Sequence, residues 1–355
     1  MISTGKLTNR VSLLKIELFS ESSTGSGSGN VRNALLVAAG VGVATLIGYG
    51  AYRCLKKHLE NIPPKEWRRV GEVTDINIYP IKSCGAIRVN QIECSVIGPR
   101  VHLMRDRIFM VIQTDGTFIT GRAYPRMVLV QPKFDEAYET MTLSAPGMLD
   151  ISIDVRRLFA IESVSASVWG QTVATVDCGE DVARWLSRFL LSEDFGLRLV
   201  FYPHEVSYRE VRGKNKIFPH LTARDSGALH DATSYMLITE ASVSDVNAKL
   251  EKPVTALQYR PNFVVKGPTA YEEDDWQWIK IGETIYRNVK PCTRCIFINV
   301  DPETGISSTT AEPLKTLKTY RRNPKVGGDN PILGMQMGVK KEGTVRLGDV
   351  VYVGC

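Results

Sequence analysis

The chain has 355 residues, with 44 Lys and Arg against 38 Asp and Glu, and a formal net charge of +6 at pH 7. Residues 1–70 hold ten basic and four acidic side chains, so residues 71–355 carry 34 charges of each sign. A neutral bulk excludes a domain-wide basic surface for nucleic acid. The 43% hydrophobic and 23% charged content excludes wholesale disorder, and the length after residue 70 suffices for about two domains.

The seven cysteines point to a reducing compartment, because their number is odd and the chain is too long for a disulfide-stapled miniprotein. In such a compartment a cysteine can act as a thiolate ligand or a nucleophile.

The N-terminal residues 1–33 are interpreted as a targeting segment followed by a linker. Apolar residues at spacings of four, three and four within residues 6–19 form one face of a predicted helix that also carries basic side chains. Ser and Gly then dominate residues 20–30, a composition that cannot form a core.

Residues 34–52 contain no charged side chain and are predicted to form a transmembrane helix. Nineteen helical residues span about 28 Å, close to the ~30 Å thickness of a bilayer's hydrocarbon core. The alternatives are a secretory signal and a buried core helix, and the signal is disfavoured because basic residues follow instead of a cleavage site. The basic linker over residues 53–70 predicts, by the positive-inside tendency, that residues 53–355 face the cytosol.

Beyond residue 70 the sequence alternates many short apolar segments with few helical patterns. This predicts a mixed, β-rich α+β fold, with barrel-like domains over residues 71–195 and 196–355 rather than a doubly wound sheet. Helices are predicted from Glu180, over residues 241–250 and after Pro313. The predicted strands cover residues 73–81, 87–97, 108–114, 117–120, 142–143, 149–155, 164–168, 262–265, 279–281, 296–300 and 343–353.

The sharpest local motif is PCTRC at residues 291–295. Its two cysteines are compatible with half of a zinc site, a redox dithiol, a single thiolate ligand with a bystander, or two buried thiols. Zinc needs two more ligands at similar spacing, but the five His are scattered. A dithiol normally opens a helix, whereas the β-branched run that follows predicts a strand. A single thiolate ligand and two buried thiols therefore both stay open, and Arg294 would favour a thiolate.

Further motifs place cations or hydroxyls at turns between predicted strands. Lys82 and Ser83 follow a Pro turn, Arg107 enters a strand, and Arg260 precedes one. Each group can hold a phosphate or face solvent on a loop. For each motif taken singly, a side chain that faces solvent on a loop is the simpler interpretation.

Taken in order, these motifs resemble the MOSC superfamily, the molybdenum cofactor sulfurase C-terminal domain family. The resemblance covers about residues 68–355 and, with the predicted anchor, is similar to membrane-bound members that reduce amidoximes. It implies an N-terminal MOSC β-barrel-like domain followed by a β-barrel MOSC domain. The motifs that carry it are YPIKSC, RDR, TEAS, RPN, CTRC and DPETG.

The resemblance also implies a molybdenum-molybdopterin cofactor. Cys295 matches the cysteine that ligates molybdenum and is the implied catalytic residue, with Cys292 as its neighbour. The chain departs from the family at Ala232, where a hydroxyl residue is common, and at Gln336, where a tyrosine contacts the cofactor. The implied cofactor-binding residues are Lys82, Ser83, Arg107, Ala232, Thr233, Arg260, Thr293, Arg294 and Gln336.

The activity that the resemblance implies is reduction of N-hydroxylated compounds such as amidoximes and hydroxylamines, with nitrite as a further substrate. Electrons would come from a cytochrome b5-type haem protein and its flavin reductase. The implied location is the mitochondrial outer membrane with the catalytic part facing the cytosol, and the alternatives are the peroxisomal or endoplasmic reticulum membrane.

Two other functions are weighed against this one. The first is a molybdenum cofactor carrier or sulfur-transfer module without reductase turnover, against which no pyridoxal-phosphate-binding desulfurase domain fits in the length. The second is a membrane-tethered adaptor with a degenerate site, which the intact Lys82, Arg260 and Cys295 count against.

Overall fold

The computed structural model describes residues 47–53, 55, 56 and 58–355. The chain divides into two compact units, Met1–Ile62 and Pro63–Cys355. In the first unit, the described residues between 47 and 60 form helix α1. No helix among the described residues is both long and apolar enough to cross a membrane.

The predicted targeting segment, residues 1–33, lies outside the described residues, as do residues 34–46 of the predicted transmembrane helix. The membrane helix therefore stays a prediction. Within the predicted linker over residues 53–70, α1 continues to residue 60 and a strand begins at Trp67.

The second unit is built mainly of short strands. In chain order they are β1 (Trp67–Ile78), β2 (Ile87–Arg88), β3 (Gln91–Ser95), β4 (Gly98–Val101), β5 (Met104–Arg105), β6 (Phe109–Gln113), β7 (Gln131–Phe134), β8 (Thr140–Ser144), β9 (Ile151–Asp154), β10 (Ser163–Val168), β11 (Gln171–Asp177), β12 (Leu197–Phe201), β13 (Tyr235–Thr239), β14 (Phe263–Lys266), β15 (Trp278–Ile281), β16 (Thr284–Thr293), β17 (Ile332–Lys341), β18 (Gly343–Arg346) and β19 (Val350–Gly354). The helices are α2 (Val155–Leu158), α3 (Glu180–Leu191), α4 (Glu240–Asn247), α5 (Leu314–Tyr320) and α6 (Pro324–Gly327).

Seven strands close into a barrel in the order β14, β13, β17, β16, β15, β19 and β1, and β1 pairs again with β14. Every pairing is antiparallel except that of β13 with β14. In β1, Ile76 lies opposite Phe263 of β14, and Trp67 lies opposite Gly354 of β19. β1, the first strand of this unit, therefore pairs on both edges with strands from later parts of the chain.

The barrel interior is filled by aromatic and aliphatic side chains. The ring of Tyr286 contacts those of Tyr235 and Phe263 edge-on, with centroids 5.2 and 5.8 Å apart, an arrangement that aromatic quadrupoles favour. On β17, Met335 and Met337 belong to this core. Because side chains alternate along a strand, Gln336 between them faces the opposite side, toward the pocket described below.

β2 extends the barrel sheet beyond β1, and the other strands form three smaller sheets. The sheet β18, β3, β4, β5 packs on the barrel core, whereas the other two sheets share a second core. A four-stranded sheet runs in the order β10, β11, β12, β6, and α3 packs on β12. The predicted helix from Glu180 is confirmed as α3. Its apolar face buries Val182, Trp185, Leu186 and Phe189, at the predicted spacing of three and four residues.

The predicted β-rich fold with a barrel is confirmed, whereas the boundary between residues 195 and 196 stays a prediction.

The predicted strand over residues 296–300 is wrong: Ile296–Asn299 forms a three-ten turn. The amide of Ile298 donates to the carbonyl of Cys295, 3.2 Å away, so Ile298 is buried while Ile296 is 58% exposed. Tertiary packing of alternate residues here overrides their β-propensity. The predicted strand over residues 117–120 is also wrong, because this segment makes only isolated bridges, one to β6 and one to β10.

Candidate active site

All ten predicted site residues line one pocket of about 270 Å³ in the second unit. Six stretches of chain supply them: the loop after β1, the turn before β6, the segment before β13, the turn before β14, the end of β16 with the turn after it, and β17. The pocket is strongly cationic, and we call Lys82, Arg107, Arg260 and Arg294 the inner cations.

Lys82 is almost fully buried and forms an ion pair with Asp231. Its ammonium also donates to the carbonyl of Leu229 at 2.9 Å. Burial lowers the pKa of Lys82 to about 8, although the Asp231 carboxylate opposes this shift. The lysine is therefore held as a cation near neutral pH at the cost of desolvation.

Arg107 pairs with Asp106, a carboxylate with no exposed surface. Asp106 also accepts from the amide of Tyr79 at 2.7 Å, contacts His230 Nε2 at 2.8 Å and accepts from the Asn262 amide at 3.2 Å. Burial would raise the pKa of Asp106, but Arg107 and the His230 hydrogen bond hold it below its ordinary value. Burial lowers the pKa of His230 to about 4, so this imidazole is neutral near pH 7.

Arg260 and Arg107 both lie against the ring of Tyr79, with guanidinium carbons 4.2 and 4.6 Å from its centroid. Nη1 of Arg260 donates to the carbonyl of Cys84 at 2.7 Å, but its buried Nη2 has no hydrogen-bond partner within the described part of the chain. Burial and the charge of Arg107 lower the pKa of Arg260 to about 10. A buried donor without a partner is costly and suits an anionic ligand.

Three of the ten predicted site residues have left-handed backbones although none is glycine. Their φ angles are 69° at Ser83, 48° at Arg107 and 55° at Arg260. Each such residue costs about 1–3 kcal/mol, and strain of this kind concentrates at functional sites.

The two cysteines of the PCTRC motif face different environments. Cys292 is buried in a hydrophobic cluster with Ile298 and Leu333. Cys295 follows the end of β16, is half-buried and lines the pocket, with its Sγ 3.9 Å from Nη1 of Arg122. Both cysteines border the pocket, but Cys292 is buried and Cys295 is half-buried, so the more accessible thiol is that of Cys295.

Arg294 is buried, and its guanidinium N–H groups donate to main-chain carbonyls. Its Nε bonds to Leu333 at 2.9 Å and its Nη1 to Tyr259 at 2.8 Å. Its own amide donates to Pro331 at 2.8 Å. Arg294 thus fixes the turn that carries Cys295, rather than pointing an unpartnered charge at the thiol.

The other predicted residues complete the wall of the pocket. Thr233 is buried and donates to the carbonyl of Tyr235 at 3.0 Å, and Gln336 accepts from Lys290 at 3.1 Å. Burial lowers the pKa of Lys290 to about 8. Ser83, Ala232 and Thr293 also line the pocket.

Sequence reasoning missed several residues of this pocket. Trp169 occupies the two-residue turn between β10 and β11 with φ 54°, and its indole donates to Asp231 at 3.0 Å. Arg212 and Lys214 come from the long segment between β12 and β13, and Arg122 comes from the segment between β6 and β7. We call Arg122, Arg212 and Lys214 the outer cations.

Comparisons of the sequence with protein families and with known proteins agree with the order of the motifs along the chain. Residues 70–193 match the MOSC N-terminal beta barrel domain, and residues 225–352 match the MOSC domain. The chain is 38% identical to "Mitochondrial amidoxime-reducing component 1" of Danio rerio, over 90% of this chain and 94% of that protein. It is 35% identical to the Mus musculus protein of the same name, over 92% and 94%, and 36% identical to "Mitochondrial amidoxime reducing component 2" of Bos taurus, over 80% and 84%. The chain belongs to the MOSC-domain family that includes the mitochondrial amidoxime-reducing components.

Proposed function

We propose that this protein is a molybdenum-cofactor oxidoreductase that reduces N-hydroxylated compounds such as amidoximes and hydroxylamines, and also nitrite. The observation that carries the proposal is the half-buried thiol of Cys295 in a pocket lined by all the implied cofactor residues. The names of the family relatives support the reaction type.

The residues of the pocket fit the chemistry of molybdopterin, which carries a dithiolene and a phosphate. Arg260 offers a buried Nη2 donor that has no partner among the described residues, as expected of a group that receives a phosphate oxygen. Cys295 offers a soft sulfur ligand of the kind that suits a soft metal site. Strain at Ser83, Arg107 and Arg260 is consistent with a backbone shaped for a ligand.

Each residue then has a role in holding the cofactor. Cys295 ligates molybdenum. The cations Lys82, Arg107 and Arg260 bind the phosphate and the pterin. The remaining contacts come from Ser83, Ala232, Thr233, Thr293 and Gln336, while Arg294 fixes the turn that presents Cys295.

When bound, the cofactor supplies two electrons and a metal that accepts the oxygen of an N–OH group. Removing that oxygen consumes two protons as well and releases water and the reduced nitrogen compound. The buried Lys82 ammonium keeps a proton at Nζ close to the pocket near neutral pH, and Asp231 orients it. Neutral His230 stabilises Asp106, which in turn fixes Arg107.

The cellular setting is part of the proposal. The protein is anchored by residues 34–52 in the mitochondrial outer membrane and receives electrons from a cytochrome b5-type haem protein and its flavin reductase. The names of the relatives support a mitochondrial location. The apolar run and its basic C-terminal flank support the anchor and its orientation.

Metal analysis of the cofactor-loaded full chain tests the assignment. We expect molybdenum in the wild type, and loss of both molybdenum and benzamidoxime reduction in Cys295→Ala. Cys292→Ala is the matched control, because it removes the neighbouring thiol of the same motif, which is buried and packs in the hydrophobic cluster at the edge of the pocket, and it retains molybdenum. Molybdenum that survives unchanged in Cys295→Ala would contradict the proposal. Cofactor binding without any turnover would indicate the carrier function instead.

A further inference from the structure

The outer cations Arg122, Arg212 and Lys214 are not needed to explain how the pocket holds a cofactor. Arg122 Nη1 lies 3.9 Å from the Cys295 sulfur, Arg122 and Arg212 lie against the same Trp169 ring, and Lys214 lines the same pocket. They therefore border the place where a substrate would meet the reacting sulfur ligand.

The pocket carries far more positive than negative charge. Among the described residues that line it, seven are Lys or Arg, whereas Asp231 is the one carboxylate. That carboxylate already pairs with Lys82, and Arg122 Nη2 reaches it only at 3.9 Å. The side chain of Lys214 makes no hydrogen bond or ion pair with any described residue. The outer cations are thus left largely without compensating charge.

The outer cations are nevertheless held in place. The guanidinium carbon of Arg212 lies 3.9 Å from the Trp169 ring centroid, and that of Arg122 lies 4.8 Å from it. Nη1 of Arg212 also donates to the main-chain carbonyl of Asp231 at 3.2 Å. Trp169 itself sits in a turn whose left-handed backbone ordinarily suits Gly or Asn. A bulky residue is therefore kept in a strained turn, where it orders two guanidinium groups.

The electrostatics of this cluster are unfavourable without a ligand. Burial, with further repulsion from Arg122, lowers the pKa of Arg212, and burial and the charge of Arg212 lower the pKa of Lys214. A bound anion reduces the electrostatic repulsion between like charges that are brought together in this way.

We propose that the outer cations form a subsite for an anionic substituent of the substrate, a carboxylate or a phosphate, so that the enzyme prefers N-hydroxylated compounds that carry such a group. This inference rests on the proposed function, because it assigns the substrate class of the same site. Arg212 supplies a planar fork for two oxygens, and Lys214 supplies a point charge.

Steady-state kinetics of the cofactor-loaded full chain with reduced methyl viologen as electron donor test the subsite. The substrates are benzamidoxime, which is neutral, and 4-carboxybenzamidoxime, which differs by one carboxylate. In the double variant Arg212→Gln/Lys214→Gln, we expect KM for the carboxylate substrate to rise about tenfold more than KM for benzamidoxime. Lys216→Gln is the matched control, because Lys216 is an exposed neighbour that does not line this pocket, and it changes neither KM.

Two results would overturn the subsite. Equal changes of both KM values would mean that the outer cations do not sense the substrate's charge. Loss of molybdenum from the double variant would mean that they hold the cofactor's own phosphate.

A binding measurement separates this inference from the proposed function. If the wild type reduces neither substrate, the proposed function fails, and calorimetry with benzoate and benzamide then tests the subsite alone. Tighter binding of benzoate than of benzamide, lost in the double variant and retained in Arg212→Lys, supports the anion subsite. Equal binding of the two probes refutes it.

Discussion

The inner and outer cations line the same pocket but are embedded in it differently. Arg107 has a carboxylate partner without exposed surface, and Arg294 is bonded to carbonyls on two elements. Lys214 is exposed and has no hydrogen-bond partner among the described residues. Arg107 and Arg294 are therefore part of what holds the fold together, whereas Lys214 is free to bind a ligand. The charge of these side chains does not distinguish them, whereas their hydrogen-bond and ion-pair partners do.

The largest expected effect comes from removing the carboxylate that supports an inner cation. Asp106→Ala leaves Arg107 without its buried partner and breaks the bonds to Tyr79, His230 and Asn262. We expect the free energy of unfolding to fall by about 3–5 kcal/mol, measured by urea denaturation. A loss below about 1 kcal/mol would show that the inner cations are not part of the folding core.

A surface ion pair provides the control for this variant. Asp194 pairs with Arg188, and both side chains are more than half exposed. Asp194→Ala should leave the denaturation midpoint almost unchanged, because exposed pairs contribute little.

A smaller effect should appear in the pH dependence of stability. Lys82 has a pKa lowered from 10.5 to about 8 by burial, so between these values the unfolded chain binds a proton that the folded chain has released. Raising the pH in this window therefore stabilises the fold. Relative to Lys82→Met, the wild type should gain about 2 kcal/mol between pH 8 and pH 9.5. A constant difference between the two proteins would refute the lowered pKa.

The smallest effect is expected from the outer cations. Lys214→Gln removes an exposed charge without a hydrogen-bond partner among the described residues, so the free energy of unfolding should change by no more than about 0.5 kcal/mol. Urea denaturation of this variant beside Asp106→Ala gives the comparison directly. A loss above about 2 kcal/mol would place Lys214 with the inner cations.

The order of the sequence motifs was sufficient to predict that the inner cations and Cys295 meet in one pocket. Each lies in a short motif next to a strand end, where the order of motifs is readable along the chain. The spacing of the PCTRC motif alone does not tell which of Cys292 and Cys295 is the more accessible thiol. Their environments depend on the three-ten turn after β16, where the sequence had predicted a strand.

The outer cations could not be predicted because they come from unrelated parts of the chain. Trp169 sits in a hairpin turn, and Arg212 and Lys214 lie in an irregular stretch between β12 and β13. The one local signal was the density of basic residues from 209 to 216, which by itself indicates only a solvated loop. Tertiary folding alone brings them beside Cys295.

The first barrel strand leaves the ribosome well before its partners in the barrel. β1 pairs with β14 and β19, and Trp67 and Gly354 are 287 positions apart. During translation the parts of β1 that pair with β14 and β19 are unpaired, and exposed strand edges favour association with other chains. We therefore expect the barrel to close slowly and only after β19 has been synthesised, and the nascent chain to depend on chaperones that shield β1 until then.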